Sequence, residues 1–213
     1  QNHLGELVAL DRSIGTLRSG LRRLGVAQDT LVWYCSDNGG HKDAPLKPVA
    51  HLRGFKESLF EGGLRVPGIV EWPAGIARPR ITLFPAGTID IFPTIAEIAR
   101  LPASAHIAPL DGMSLKPLLS GEQGRRERPL GFRYLKGGAW IDNRYKIVAP
   151  DTASGRFELY DLEEDPSETR DLSAERPDLI RKLREDFLAW NASVDASAAG
   201  KDYPEGRVNP ADL

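Results

Sequence analysis

The feature that most constrains this chain is an apolar run that stops abruptly. Thr30-Leu-Val-Trp-Tyr-Cys-Ser36 is continuous and rich in β-formers, and it breaks into Asp37-Asn38-Gly39-Gly40. Such a run suits a strand covered on both faces, as in a parallel sheet, whereas a half-solvated strand alternates. Ahead of it, Leu7, Leu10, Ile14, Leu17, Leu21 and Leu24 recur at three- and four-residue spacing. That spacing predicts a helix over residues 4–24 with one apolar stripe, closed by Gly25. Helix, buried strand and polar turn make an α/β unit. In open α/β sheets, ligands gather at the carboxyl ends of strands.

Residues 41–67 show no period and carry Pro45, Pro48, Pro67, Gly54, Gly62 and Gly63. A long irregular segment inside a compact domain is usually functional. Residues 68–71 form a short strand candidate, ended by Trp72-Pro73. Asp90 is placed to N-cap a helix reaching about residue 100, with Ile91, Ile95 and Ile98 inward. Ser114 is placed to cap a short helix through residue 119. The texture changes at the polar segment 121–128. Four short runs follow, at 130–135, 139–142, 145–149 and 157–161, separated by Gly-Gly, Asn-Arg and Ala-Ser-Gly turns. They predict a small antiparallel meander. Leu179, Ile180, Leu183, Phe187 and Trp190 then mark one face of a helix.

With 28 basic and 30 acidic side chains the net charge is −2, which argues against a nucleic-acid partner, since that needs clustered Lys and Arg. No apolar stretch is long enough to span a bilayer. The single cysteine, Cys35, cannot form an intrachain disulfide. The chain begins at Gln1, inside the first predicted helix, and reads as the C-terminal piece of a longer protein. A signal peptide ahead of it would not be visible.

Two segments carry candidate chemistry. Asp37 and Asn38 set a carboxylate beside a carboxamide, two hard oxygen donors of the kind Ca²⁺ or Mg²⁺ prefers. Asp, Asn and Gly are equally the residues of an ordinary β-turn. Lys56 stands in the Gly-flanked stretch Leu52-Arg-Gly-Phe-Lys56, where backbone can approach a ligand closely and an ammonium suits an anionic oxygen. A solvated surface lysine is the plainer reading of the same residue. His41, soon after Asp37, and His51, just before Lys56, are placed near a substrate mouth by loop position alone, with His106 in a loop toward the second domain and expected to be solvated.

Taken together, these segments are far more specific. Asp-Asn-Gly, then Leu-Arg-Gly-x-Lys-x-x-x-x-Glu-Gly-Gly-x-Arg-Val-Pro and Trp72-Pro73, resembles the sulfatase family. So do Asp90-Ile-Phe-Pro-Thr-Ile95, Leu110-Asp-Gly-Met-Ser-Leu115, Leu159-Tyr-Asp-Leu-Glu-Glu-Asp-Pro166 and Glu168-Thr-Arg-Asp-Leu172. The resemblance covers roughly residues 4–190, in the family's order.

The resemblance implies an α/β fold: residues 1–120 as the C-terminal part of an alkaline-phosphatase-like α/β domain, and 121–193 as a small antiparallel β-sheet plus helix subdomain. Residues 194–213 are expected as an extended tail. It implies a sulfuric ester hydrolase with Ca²⁺ as cofactor, Mg²⁺ being the other candidate. Asp37 and Asn38 match the family's later pair of metal ligands, and Lys56 matches its sulfate-contacting lysine. In that mechanism a formylglycine nucleophile attacks sulfur, the cation and the lysine stabilise charge on the sulfate oxygens, and a histidine protonates the leaving oxygen. The formylglycine motif, Cys/Ser-x-Pro-x-Arg, does not occur in these 213 residues. The nucleophile, the early aspartate ligands and the N-terminal part of the same protein are therefore expected upstream, and the chain alone is expected to be inactive. Implied partners are a sulfated carbohydrate or an aryl sulfate, and the implied location is periplasmic or secreted. Two alternatives stay open: a phosphonate or phosphate ester hydrolase of the same superfamily, and a non-catalytic fragment or pseudoenzyme.

Overall fold

The structure, a computed structural model, describes residues 2–43, 51–106 and 109–201. Pro45 and Pro48 of the irregular segment, and 202–213 of the expected tail, lie outside the described residues.

The amphipathic pattern does form a helix. α1 runs Asn2–Arg23, and Gly25 follows it at φ +71° with its N–H on the Arg22 carbonyl. The leucine stripe stays uncovered among the described residues: Leu7, Leu10 and Leu17 are 48%, 41% and 50% exposed. A two-pronged ion pair ties α1 to the strand beyond, with the Arg18 guanidinium 2.7 and 3.0 Å from the Glu71 carboxylate. That hydrogen bonding holds the Glu71 carboxyl below the usual carboxylate range.

β1 (Val32–Cys35) occupies the apolar run. A single helical turn, α2 (Glu61–Leu64), precedes β2 (Gly68–Glu71). β1 and β2 pair antiparallel, Val32 opposite Glu71 and Cys35 opposite Gly68. Among the described residues the neighbour of β1 is thus antiparallel, where the run suggested a parallel sheet. All four residues of β1 are half-buried, Cys35 among them. A continuous apolar run records that both faces favour cover, and says nothing about the direction of the neighbouring strand.

α3 (Ile91–Ile98) follows a 3₁₀ turn at Thr88–Asp90. Asp90 does not cap it with its side chain. The carboxylate, fully buried, instead accepts the N–H groups of Gly87 and Met113, both at 2.8 Å, and faces the Arg126 guanidinium at 2.7 and 2.8 Å. The inward residues of α3 are Thr94 and Ala96, and Ile95 is exposed. α4 (Lys116–Ser120) starts just after Ser114, whose hydroxyl accepts the Lys116 N–H at 3.2 Å.

The second sheet is the meander the sequence predicts. β3 (Leu130–Tyr134), β4 (Gly137–Asp142), β5 (Tyr145–Ala149) and β6 (Glu158–Asp161) lie in that order, each pair antiparallel. Two-residue alternation gives it two faces. One carries Trp140, Ile147, Phe157 and Leu159 and packs on Leu183 and Phe187 of α5 (Pro177–Ala198). The helix sits so close that a Cβ on Gly138 would fall 2.2 Å from the Phe187 ring. The other face carries Ala139, Val148 and Tyr160 and packs on Leu59. α5 runs on to Ala198, so residues 194–198, expected as extended tail, are helical because the helix continues past its last apolar contact.

The buried Arg126 and Asp90 join the segment before the meander to the turn before α3. Removing one partner of such a pair strands a charge in the interior, at a cost of about 3–5 kcal/mol. Arg126→Met should therefore destabilise the protein by about that amount in urea unfolding. A loss no larger than that of an exposed pair such as Arg18 with Glu71 would show that Asp90 is satisfied without it.

Candidate functional site

The carboxyl end of β1 turns out of the sheet at Ser36. The Asp37 carboxylate is exposed and accepts the Asn38 side-chain N–H at 2.6 Å, while the Ser36 hydroxyl lies 3.4 Å from its other oxygen. With the amide nitrogen so engaged, the side-chain carbonyl oxygen of Asn38 accepts no hydrogen bond among the described residues, while its backbone carbonyl accepts the Ser36 hydroxyl at 3.2 Å. This donor set is hard and oxygen-only, and it fits a calcium-type ion as part of a coordination shell. A full shell needs about six to eight oxygens. Among the described residues no group of three or more His, Cys, Asp or Glu side chains is placed to complete one.

The Lys56 segment folds back onto this turn through backbone contacts. The Lys56 N–H donates to the Gly40 carbonyl at 2.9 Å, and the Gly39 N–H donates to the Gly63 carbonyl at 2.9 Å. The Gly62 N–H closes the segment on itself at the Arg53 carbonyl, 2.7 Å. The Lys56 side chain is exposed. Three of the five sequence-expected site residues, Asp37, Asn38 and Lys56, thus belong to one local assembly. The histidines do not join them. His41 is exposed and its Nδ1 accepts the Asp43 N–H at 3.2 Å. His51 is also exposed. Neither imidazole is hydrogen-bonded to Asp37, Asn38 or Lys56 among the described residues.

The residues that hold the Lys56 segment from behind were not singled out in the sequence. Arg53 reaches the Tyr160 hydroxyl at 2.7 Å and the Glu168 carbonyl at 3.1 Å, with its guanidinium 3.7 Å from the centre of the Phe60 ring. The Glu61 N–H donates to the Glu168 carboxylate at 2.6 Å. The fully buried Lys146 ammonium of β5 donates to Glu61 Oε1 at 2.9 Å, and it lies 2.8 Å from Glu168 Oε1 in an ion-pair contact. Burial pushes the Glu168 carboxyl above the usual range, while Lys146 and the Glu61 N–H pull it down. Arg53, Glu61 and Glu168 stood in the motif segments without a role assigned to them, and Lys146 was a signal of its own, a lysine inside an apolar strand, since lysine is almost never fully buried unless paired. Its partner Glu61 is 85 residues away in the chain.

Gly39 is where the two segments touch. A Cβ there would sit 1.8 Å from the Gly62 carbonyl oxygen and 2.8 Å from Gly63 Cα. Neither backbone group can move without breaking the contact. Gly39→Ala should therefore cost about 1–3 kcal/mol of overpacking strain and part the Lys56 segment from the turn, visible as a lower thermal midpoint. An unchanged midpoint would mean that the two segments are not held together through this contact.

Two family models match the chain. One, described as Sulfatase, covers residues 1–101. The other, described as N-sulphoglucosamine sulphohydrolase, C-terminal, covers residues 54–192. Mouse (Mus musculus) steryl-sulfatase is 31% identical over 89% of this chain and 36% of its own length. Among solved structures, a Bacteroides thetaiotaomicron protein from work on glycosaminoglycan metabolism superposes with TM-score 0.75 at 27% identity, covering 86% of this chain and 43% of that one. Ps i-CgsB, solved in complex with k-i-k-neocarrahexaose, superposes with TM-score 0.72 at 26% identity over 86% of this chain and 41% of its own. The chain thus spans about two fifths of the length of these proteins. Its fold is the corresponding part of their alkaline-phosphatase-like α/β architecture, and the chain belongs to the sulfatase family.

Proposed function

We propose that the chain is the C-terminal portion of a sulfuric ester hydrolase and supplies the later half of its sulfate and cation site. The observation that carries this reading is the backbone bond from Lys56 to Gly40, which brings the candidate anion contact to the turn that holds the candidate cation ligands. In this reading the Lys56 ammonium lies against a sulfate oxygen and offsets the charge that builds there as the ester bond to sulfur breaks. Asp37 contributes a full negative charge and Asn38 a neutral carbonyl oxygen to a calcium-type ion. That ion, when bound, supplies Lewis-acid polarisation of the sulfate. The nucleophile and the remaining ligands come from the portion of the parent protein that precedes this chain.

Two further observations support the division. The uncovered leucine stripe of α1, with Ile81 and Leu83 at 93% and 82% exposure, is apolar surface of the kind that favours cover. The substrate class fits a sulfated carbohydrate, since one related structure carries a neocarrahexaose and another comes from glycosaminoglycan metabolism.

In the full-length parent, Lys56→Ala should lower turnover of a chromogenic aryl sulfate by about a hundred- to a thousandfold, the usual loss when one group facing developing charge is removed. Asp37→Ala should weaken calcium binding measured by calorimetry after chelation. Near-full turnover in the first variant, or unchanged affinity in the second, would refute the role given to that residue. The 213-residue chain on its own should show no turnover with calcium and the same substrate. Activity that co-purifies with it and vanishes on Lys56→Ala would overturn the division of the site.

A further inference from the structure

Lys146 is an odd residue to find where it is. It stands opposite Tyr160 on β6 and shares a sheet face with Val148, which packs with Tyr160, Ala139 and Leu59. A buried ammonium is costly unless it is closely paired, and a whole buried charge group replaced by apolar side chains of similar volume is often as stable or more so. Its two partners come from different parts of the chain. Glu61 belongs to the segment that carries Lys56. Glu168 lies beyond β6, its carboxylate accepting the Glu61 N–H and its carbonyl accepting Arg53. Glu168 is buried and held at φ +55°, and Glu57, next to Lys56, is held at φ +74°. Non-glycine residues seldom adopt this left-handed region, and they persist there only where surrounding contacts over-determine the backbone.

From these contacts a continuous path runs from β5 to the turn. Lys146 and Glu168 fix Glu61, Gly63 two residues later accepts the Gly39 N–H, and Gly62 closes on Arg53, which opens the stretch ending at the Lys56–Gly40 bond. We propose that Lys146, with Glu61 and Glu168, is a positioning cluster that locks the 53–64 segment to the four-stranded sheet and thereby sets where Lys56 stands over the Asp37-Asn38-Gly39-Gly40 turn. The inference rests on the reading of Lys56 as the sulfate contact. It gives the meander a part in placing Lys56.

The test uses the full-length parent with Lys146→Met, the near-isosteric Glu168→Gln, Lys56→Ala and the double variant Lys146→Met/Lys56→Ala. Amide hydrogen exchange at Gly39 and Lys56 should speed up at least about tenfold in Lys146→Met and Glu168→Gln, with Leu183 and Phe187 on α5 still protected, as expected for local opening. The kcat for the aryl sulfate should fall by up to about a hundredfold in Lys146→Met, the scale of a small misplacement, with KM changing less. In the Lys56→Ala background the same substitution should cost little further, because coupled residues are not additive. Unchanged exchange at both amides, exchange that rises equally in α5, or losses that multiply in the double variant would each overturn the positioning role. If Lys146→Met fails to fold, Glu168→Gln decides by the same exchange measurement. Full turnover in Lys56→Ala alone would defeat the sulfate-contact reading, while the exchange data would still decide whether the cluster fixes the segment.

Discussion

A lysine ammonium sealed between two carboxylates governs how the parts of this chain meet. Removing such a group from water costs several kcal/mol even after relaxation. Lys146 therefore does not tolerate any loose arrangement of its neighbours. The hydrogen bond to Glu61 and the close contact with Glu168 are both required, since losing either leaves a buried carboxylate without its cation. That requirement is directional, unlike apolar contact. It dictates the approach of the 53–64 segment to one face of the meander, and apolar packing of Leu59 on Val148, Ala139 and Tyr160 then fills the space around it.

The meander is thus covered on both faces by different kinds of structure. α5 is laid against one face by Leu183 and Phe187, close enough to need glycine at 138. The other face receives an irregular, glycine-bearing segment with its own hydrogen bonds. The pair of Arg126 and Asp90 does a parallel job at a second junction, tying the lead-in to β3 onto the turn that starts α3. In both places a buried ion pair fixes orientation between elements that have little regular secondary structure to align them.

The stiffness built this way lies next to the candidate chemistry rather than within it. Asp37 and the Lys56 side chain are exposed, as groups that meet a ligand must be, while the backbone that carries them is tied to Gly40, Gly63 and, through Glu61, to the sheet. Left-handed backbone at Glu57 and Glu168 marks the two ends of that tie. The uncovered stripe of α1 lies on an element that the Arg18 pair with Glu71 ties to β2.

Much of this was legible in the sequence by itself. A period of about 3.6 placed α1 and α5, and short runs parted by turn residues placed the four strands of the meander, since each depends on spacing within a few residues. The turn at Asp37 and the glycine-bearing Lys56 segment stood out by residue type, and their joint pattern pointed to the family. Three things were decided only in the tertiary structure. The strand direction at β1 depends on which neighbour pairs with it, and the apolar run carries no record of that. Asp90 looked like a helix cap because its local context matches one, but a buried guanidinium and two loop N–H groups claimed its carboxylate. The grouping of Lys146 with Glu61 and Glu168 was invisible because no local rule links residues so far apart. Local propensities act over one or two turns of chain, whereas a buried charge selects its partners from whatever the fold brings within about 3 Å.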